Sequence, residues 1–199
     1  MKNNLSKPYE TIWQELNCER VLEIDPVLKT TYSSIQKTRS FHPQTNDKVF
    51  LLSELSKHVE DACAKARHYQ LFATKVSFFL KTKDFKFSNC TITLPTPTNV
   101  PEMIIPLVRE KFVDMHKKGI LYRTTGVILQ NLSRKHATQQ DFFGNTERVN
   151  KFELIHDKID LLENKFGKHM VYLASTKKAL ESERSGTDSD DPDRDLLFL

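Results

Sequence analysis

The stretch Y-S-S-I-Q-K-T-R-S-F, residues 32–41, is the part of this chain from which the fold is predicted. The apolar residues Ile35 and Phe41 bracket Lys37, Thr38 and Arg39 on a short extended segment, which is typical of a strand with one buried side. Basic and hydroxyl side chains of this kind contact phosphate groups. The stretch therefore predicts a first strand, over residues 33–42, that lies against a phosphate backbone.

Two helices and three further strands follow this strand. Asp47 is predicted to cap a helix that ends near His68, because apolar residues recur there at helical spacing. The other segments are strands over 72–81, 88–94 and 120–132, and a helix over 102–117 that is closed by Gly119. The order β-α-β-β-α-β predicts an α+β fold, with four strands in one sheet and both helices on one face.

Alternation and proline positions refine this prediction. In the second strand Thr74, Val76, Phe78 and Leu80 are expected on one side of the pleat. Three prolines after the third strand are expected to interrupt regular structure, and Pro106 is compatible with the second helix only if that helix starts late. The prolines that are expected to interrupt are Pro95, Pro97 and Pro101.

The flanking segments divide the rest of the chain. Residues 1–29 form a lead-in whose Trp13 needs packing partners outside it, and residues 30–132 form the main domain. Residues 133–146 form a linker, and residues 147–180 contain a helix over 147–165 and a short strand over 170–174. Residues 181–199 form an acidic tail that is expected to be mobile because it is rich in Ser and Asp.

Composition excludes several classes of protein. The 199 residues have a mean hydropathy of −0.51, no apolar run long enough for a membrane helix and no signal peptide, so we predict a cytoplasmic protein with no membrane partner. Cys18, Cys63 and Cys90 are odd in number and far apart, so neither a disulfide framework nor a zinc site is predicted. No arrangement of the seven histidines indicates a metal or catalytic site.

The net charge of +4 conceals an asymmetry. From Glu181 onward seven acids accompany two arginines, a net charge of −5, so residues 1–180 carry +9. A basic body of this kind is an electrostatic footprint for nucleic acid. An ordinary solvated surface explains the charge equally well.

The ordered segments together resemble the C-terminal part of a bacterial Y-family translesion DNA polymerase of the DNA polymerase IV kind. K-P-Y-E-T-I-W-Q-E-L at residues 7–16 resembles the end of the thumb, and S-I-Q-K-T-R-S-F at 34–41 resembles the first strand of the little-finger domain. The segments that resemble the first helix, the central hairpin and the closing strand of that domain are L-L-S-E-L-S-K-H-V-E at 51–60, A-T-K-V-S-F-F-L-K-T-K-D-F at 73–85, T-I-T-L-P-T-P-T at 91–98 and L-Y-R-T-T-G-V-I-L-Q-N-L at 121–132.

The resemblance implies a DNA-holding sheet and no catalytic site. The palm and fingers, which carry the Mg²⁺-binding carboxylates in this family, are absent from these residues, so this chain is expected to be inactive alone and to need no cofactor itself. A little-finger sheet is implied to contact the phosphates of double-stranded or primer-template DNA. The candidate DNA-binding residues are Lys37, Thr38, Arg39, Lys75, Lys81, Lys83, Thr91, Thr93 and Arg123, all of which an ordinary solvent-facing strand also explains.

A second motif follows the main domain. Q-Q-D-F-F at residues 139–143 resembles the peptide by which bacterial polymerases bind the β sliding clamp, with Gln139 orienting the peptide, Asp141 within it, and Phe142 and Phe143 filling an apolar pocket. The alternative is that Phe142 and Phe143 pack within the chain, under the following helix.

Two other functional classes compete with the polymerase fragment. A stand-alone α+β module for protein interaction or RNA binding is the first, although the strands are expected to lack the paired aromatics on which such modules stack bases. An independent enzyme is the second, and no residues resemble an assembled active site.

Overall fold

The computed structural model describes residues 7–21, 32–134 and 145–185. Its contacts divide the chain into two units, Met1–Thr30 and Thr31–Leu199. The first unit contains helix α1 (Lys7–Leu16), on which Ile12 and Leu16 are exposed. The sheet and the other helices belong to the second unit.

A four-stranded antiparallel sheet organises the second unit. Its elements follow as β1 (Ser34–Thr45), α2 (Lys48–His68), β2 (Leu71–Thr82), β3 (Phe87–Thr98), α3 (Pro101–Met115) and β4 (Tyr122–Arg134). The strands lie in the order β1-β4-β2-β3, and every neighbouring pair is antiparallel. Strands β1 and β2 are therefore parallel to each other with β4 between them. The predicted α+β fold with the order β-α-β-β-α-β is confirmed.

Helices α2 and α3 pack against one face of this sheet and form the core with it. Leu55 of α2, Phe112 of α3 and Leu129 of β4 are completely buried in the same apolar cluster. As predicted, Asp47 begins α2, since its carboxylate accepts hydrogen bonds from the backbone N–H groups of Val49 (2.9 Å) and Phe50 (3.1 Å). The helices leave the other face of the sheet without this cover.

The predicted inward side of β2 is wrong at Thr74. Val76, Phe78 and Leu80 are buried in the core, whereas Thr74 is only partly buried. The residue before it, Ala73, is fully buried instead. The alternation changes where Asn131, across from Thr74 on β4, adopts a left-handed φ of +52°. At the same place the pairing of β2 with β3 shifts register between Ala73 and Lys75, and periodicity within β2 does not reveal such an irregularity.

The prolines interrupt the strands and helices less than expected. Strand β3 continues through Pro95 and Pro97 to Thr98, which is possible because β3 is at the edge of the sheet, where none of the described strands pairs with its outer N–H groups. Helix α3 starts at Pro101 and contains Pro106 in its interior, so the expected late start is wrong. Helix α3 ends at Met115, and Gly119 lies in the following turn with φ +82°.

Two helices follow the sheet. Helix α4 (Asn145–Phe166) is joined to α2 by an ion pair in which Arg67 contacts Asp160 at 2.7 and 2.8 Å. The strand predicted over residues 170–174 is wrong, because a 3₁₀ turn (Ala174–Thr176) leads there into helix α5 (Lys177–Ser185). The predicted mobile tail therefore begins in a helix, and residues 186–199 lie outside the described part. None of the helices within the described ranges is both long and apolar enough to cross a membrane.

Candidate nucleic-acid interface

The register of the strands defines the face of the sheet that points away from α2 and α3. Since Ile35 and Phe41 of β1 and Val127 of β4 are buried on the helix side, the residues that alternate with them point to the opposite side. We call this side the outer face. It comprises four positions on each strand: Ser34, Gln36, Thr38, Ser40; Lys75, Ser77, Phe79, Lys81; Phe87, Asn89, Thr91, Thr93; Thr124, Gly126, Ile128, Gln130.

The chemistry of the outer face is that of a polar, uncharged to basic surface. None of these positions is an acid, two are lysines, and most of the others are hydroxyl or amide residues. The hydroxyls link neighbouring strands: Ser77 lies 2.7 Å from Thr91, Ser40 lies 2.9 Å from Thr124, and Thr38 donates to the carbonyl oxygen of Thr125 at 2.9 Å. Donors held on a rigid sheet, without a carboxylate among them, suit contact with phosphate oxygens.

The structure distributes the nine predicted DNA-binding residues over three places. Thr38, Lys75, Lys81, Thr91 and Thr93 lie on the outer face. Two others, Lys83 and Arg123, lie at the end of the sheet where β2 turns into β3, and Lys37 and Arg39 are on the helix side of β1.

Arg39 is held in the interface between sheet and helices. Its guanidinium contacts the Glu54 carboxylate at 2.6 Å and that of Glu183 on α5 at 3.5 Å. Burial raises the pKa of Glu54 to about 7, although Arg39 acts in the opposite direction. Burial likewise lowers the pKa of Lys37 on the same side of the strand. Neither cation points to the outer face, so Lys37, Thr38 and Arg39 do not form one surface.

A basic and aromatic tip closes the β2–β3 end of the sheet. The ring of Phe85, which is exposed, has the Arg123 guanidinium 4.3 Å and the Lys81 ammonium 4.9 Å from its centroid. The backbone N–H of Lys83 donates to the carbonyl oxygen of Leu121 at 2.8 Å. Lys83 and Arg123 therefore lie at this tip, and Lys81 reaches it from the outer face, around a phenylalanine that the sequence did not single out.

A pair of stacked aromatic rings lies on the outer face beside this tip. The rings of Phe79 and Phe87 are 4.8 Å apart with an interplanar angle of 28°. The expectation that the strands lack paired aromatics is therefore wrong. The pairing depends on the hairpin register, in which Lys81 is opposite Phe87 and Phe79 is opposite Asn89, so the hairpin length was the signal available in the sequence.

The predicted clamp peptide, with Gln139, Asp141, Phe142 and Phe143, lies outside the described residues. Within the described ranges no group of three or more His, Cys, Asp or Glu side chains is placed to hold a metal ion. The cysteines are free, with Cys63 buried and Cys18 exposed.

Comparison with known proteins gives a family match over the sheet domain. The model of the impB/mucB/samB family C-terminal domain matches residues 32–142. No curated protein matches the chain.

Several solved structures are similar to part of the chain. The insertion ternary complex of Dbh DNA polymerase has a TM-score of 0.45 at 13% identity, and DinB from Sulfolobus solfataricus has a TM-score of 0.41 at 18% identity. Each match covers 51% of this chain and 29% of the polymerase, so the chain spans under a third of their length. The little-finger domain of PolIV in complex with the β-clamp processivity factor has a TM-score of 0.39 at 16% identity, with 55% of this chain and 97% of that chain covered.

Proposed function

Because the chain belongs to the impB/mucB/samB family through its C-terminal domain, as its resemblance to the C-terminal part of a Y-family DNA polymerase implied, we propose that it holds double-stranded or primer-template DNA through phosphate contacts during translesion synthesis. The catalytic step belongs to palm and fingers domains with their Mg²⁺ ions, which work on the same DNA. We also propose that the chain acts in the cytoplasm, because that is where chromosomal DNA is copied in a bacterium.

The observation that carries this proposal is the outer face without acids. Lys75 and Lys81 lie on this face, Lys83 and Arg123 lie at its end, and strand hydroxyls occupy the area between. A duplex is a uniform array of phosphates, and a flat surface of donors and cations contacts it without distinguishing sequences. The binding should therefore be independent of sequence and should weaken steeply with salt.

Charge-neutralising variants test the proposed face. In fluorescence anisotropy titrations with a labelled duplex, Lys75→Gln and Lys81→Gln should each weaken binding and reduce the slope of log affinity against log salt by about 1. Lys111→Gln is the matched control, because Lys111 is an exposed lysine on α3 and should leave the slope unchanged. Wild-type protein that fails to bind duplex or primer-template DNA at low salt would refute the proposal, as would an effect of Lys111→Gln equal to that of the outer-face variants.

We also propose that the peptide Q-Q-D-F-F at residues 139–143 binds a β sliding clamp. Two adjacent aromatics supply most of the area buried in an apolar pocket, and Gln139 supplies the orienting hydrogen bonds. Phe142→Ala combined with Phe143→Ala should abolish clamp binding in surface plasmon resonance and leave the affinity for duplex unchanged. Retained clamp affinity would assign the phenylalanines to packing within the chain.

A further inference from the structure

The stacked pair on the outer face is built as a platform. Gly126 lies beneath it: a Cβ at this position would lie 2.5 Å from Cε1 and 2.6 Å from Cζ of Phe79, so the Phe79 ring rests on the bare backbone of β4. Phe87 then stacks on Phe79. With Gly126 against its ring and Phe87 stacked on that ring, Phe79 is only 7% exposed.

Phe87 itself remains largely accessible. Its side chain is 57% exposed on an edge strand, although its ring is already held at a defined position by Phe79. An aromatic ring that is fixed from one side and open to solvent loses little conformational entropy when it binds a further flat ring. Phe87 is therefore organised to accept one more ring in the stack.

The charges around this platform are those that bind a nucleic-acid backbone. Lys81 is directly across the hairpin from Phe87, and Arg123 lies close to Lys81 because both contact the ring of Phe85. Lys83 and Lys86 lie in the adjoining turn together with a single acid, Asp84. A ring platform bordered by cations is the combination by which proteins bind single-stranded nucleic acid, with bases on the aromatics and phosphates on the cations.

We propose that Phe87, supported by Phe79, is a base-stacking site for single-stranded DNA at the edge of the sheet. The face of a paired base is covered by its neighbours in the duplex, so only an unpaired base offers a ring to Phe87. The choice of DNA rests on the proposed function, in which the sheet already holds DNA. The site would thus contact unpaired nucleotides next to the duplex, independently of their sequence, since every base has a π face.

The decisive test compares two strands that have the same number of phosphates, one with bases and one without. The full chain is titrated with a labelled oligothymidylate of about 16 nucleotides, with an abasic strand of the same length and with a duplex. Wild-type protein should prefer the oligothymidylate to the abasic strand by roughly tenfold, and Phe87→Ala should bind the two strands equally. Phe87→Trp should keep the preference, and its tryptophan fluorescence should be quenched on binding.

Two further variants make the result specific. Phe87→Leu retains apolar volume but removes the ring face, so it should lose the preference as Phe87→Ala does. Phe166→Ala is the matched control: Phe166 on α4 is also exposed (56%) and has Lys165 5.1 Å from its ring centroid, but no aromatic ring in the described part of the chain stacks on it. Its removal should change nothing.

Three results would overturn the site: equal affinity of the wild type for oligothymidylate and the abasic strand, a preference that survives in Phe87→Leu, or tighter binding of oligouridylate than of oligothymidylate, which would assign the platform to RNA. Duplex binding that persists alongside any of these results would leave the proposed function standing. Loss of duplex binding by the wild type is the separate result that refutes that function.

Discussion

Gly126→Ala should destabilise the sheet because the added methyl group would occupy the space in which the Phe79 ring contacts the backbone. The added Cβ would lie 2.5 Å from the nearest ring carbon of Phe79 and 3.0 Å from the carbonyl oxygen of Lys37, whereas carbon atoms in contact are about 3.5–4.0 Å apart. The Phe79 ring must therefore move by about 1 Å, against Phe87. Overpacking of this kind costs about 1–3 kcal/mol, and alanine recovers about 0.5–1 kcal/mol by restricting the unfolded chain. With a cost and a recovery in the middle of these ranges, the net loss should be about 1 kcal/mol.

Urea unfolding followed by circular dichroism measures this loss. With an m-value of about 1–3 kcal/mol/M, the midpoint should fall by several tenths of a molar unit while the m-value stays constant. Phe79→Leu supplies the control: in that background the ring is absent, so Gly126→Ala should cost about 1 kcal/mol less than in the wild type. An unchanged midpoint for Gly126→Ala, or the same cost in both backgrounds, would refute the close approach of ring and backbone.

Two further predictions concern buried charges. Burial raises the pKa of Glu60 from 4.5 to about 7, so the contribution of Glu60 to stability is complete below about pH 4.5 and is lost as the pH rises through 7. Because glutamine does not ionise, Glu60→Gln should change the free energy of unfolding in favour of the folded protein by about 1–3 kcal/mol more at pH 8 than at pH 4. Urea titrations of both proteins at the two pH values measure this difference. Arg67→Met removes both contacts to Asp160. It should lower the free energy of unfolding by about 1–3 kcal/mol and accelerate amide hydrogen exchange in α4, and Asp160→Asn is the milder control. Unchanged exchange in α4 would show that this ion pair does not hold the helix.

The order of elements could be predicted because each element carries its own local pattern. Apolar residues at helical spacing and the Asp47 cap mark α2 within one continuous segment, and β-branched and aromatic residues mark β2. Packing against a sheet then requires both helices to bury their apolar faces on one side. Every step of this prediction uses residues that are neighbours in the sequence.

The errors arose where the structure depends on a distant residue. Ala73 takes the inward position next to Thr74 where the register with β3 shifts and where Asn131, more than fifty residues away along the chain, adopts a left-handed φ. Pro95 and Pro97 are accommodated because β3 is at the edge of the sheet, and strand order is a property of the whole fold. The platform of Phe79 and Phe87 needs both the hairpin register and Gly126 on a third strand. No single window of sequence contains these relations.

If the sheet binds DNA as proposed, the separation of Arg39 from the outer face limits which cations can contact the phosphates. Glu54 is completely buried beside it, and turning Arg39 towards a phosphate would leave this carboxylate without its ion-pair partner. Losing one member of a buried ion pair costs about 3–5 kcal/mol, whereas a hydrogen bond to a charged group contributes about 1.5–3 kcal/mol. Arg39 therefore gains nothing by leaving the interface. In the proposed function the phosphate contacts are assigned instead to the cations of the outer face and its tip, Lys75, Lys81, Lys83 and Arg123.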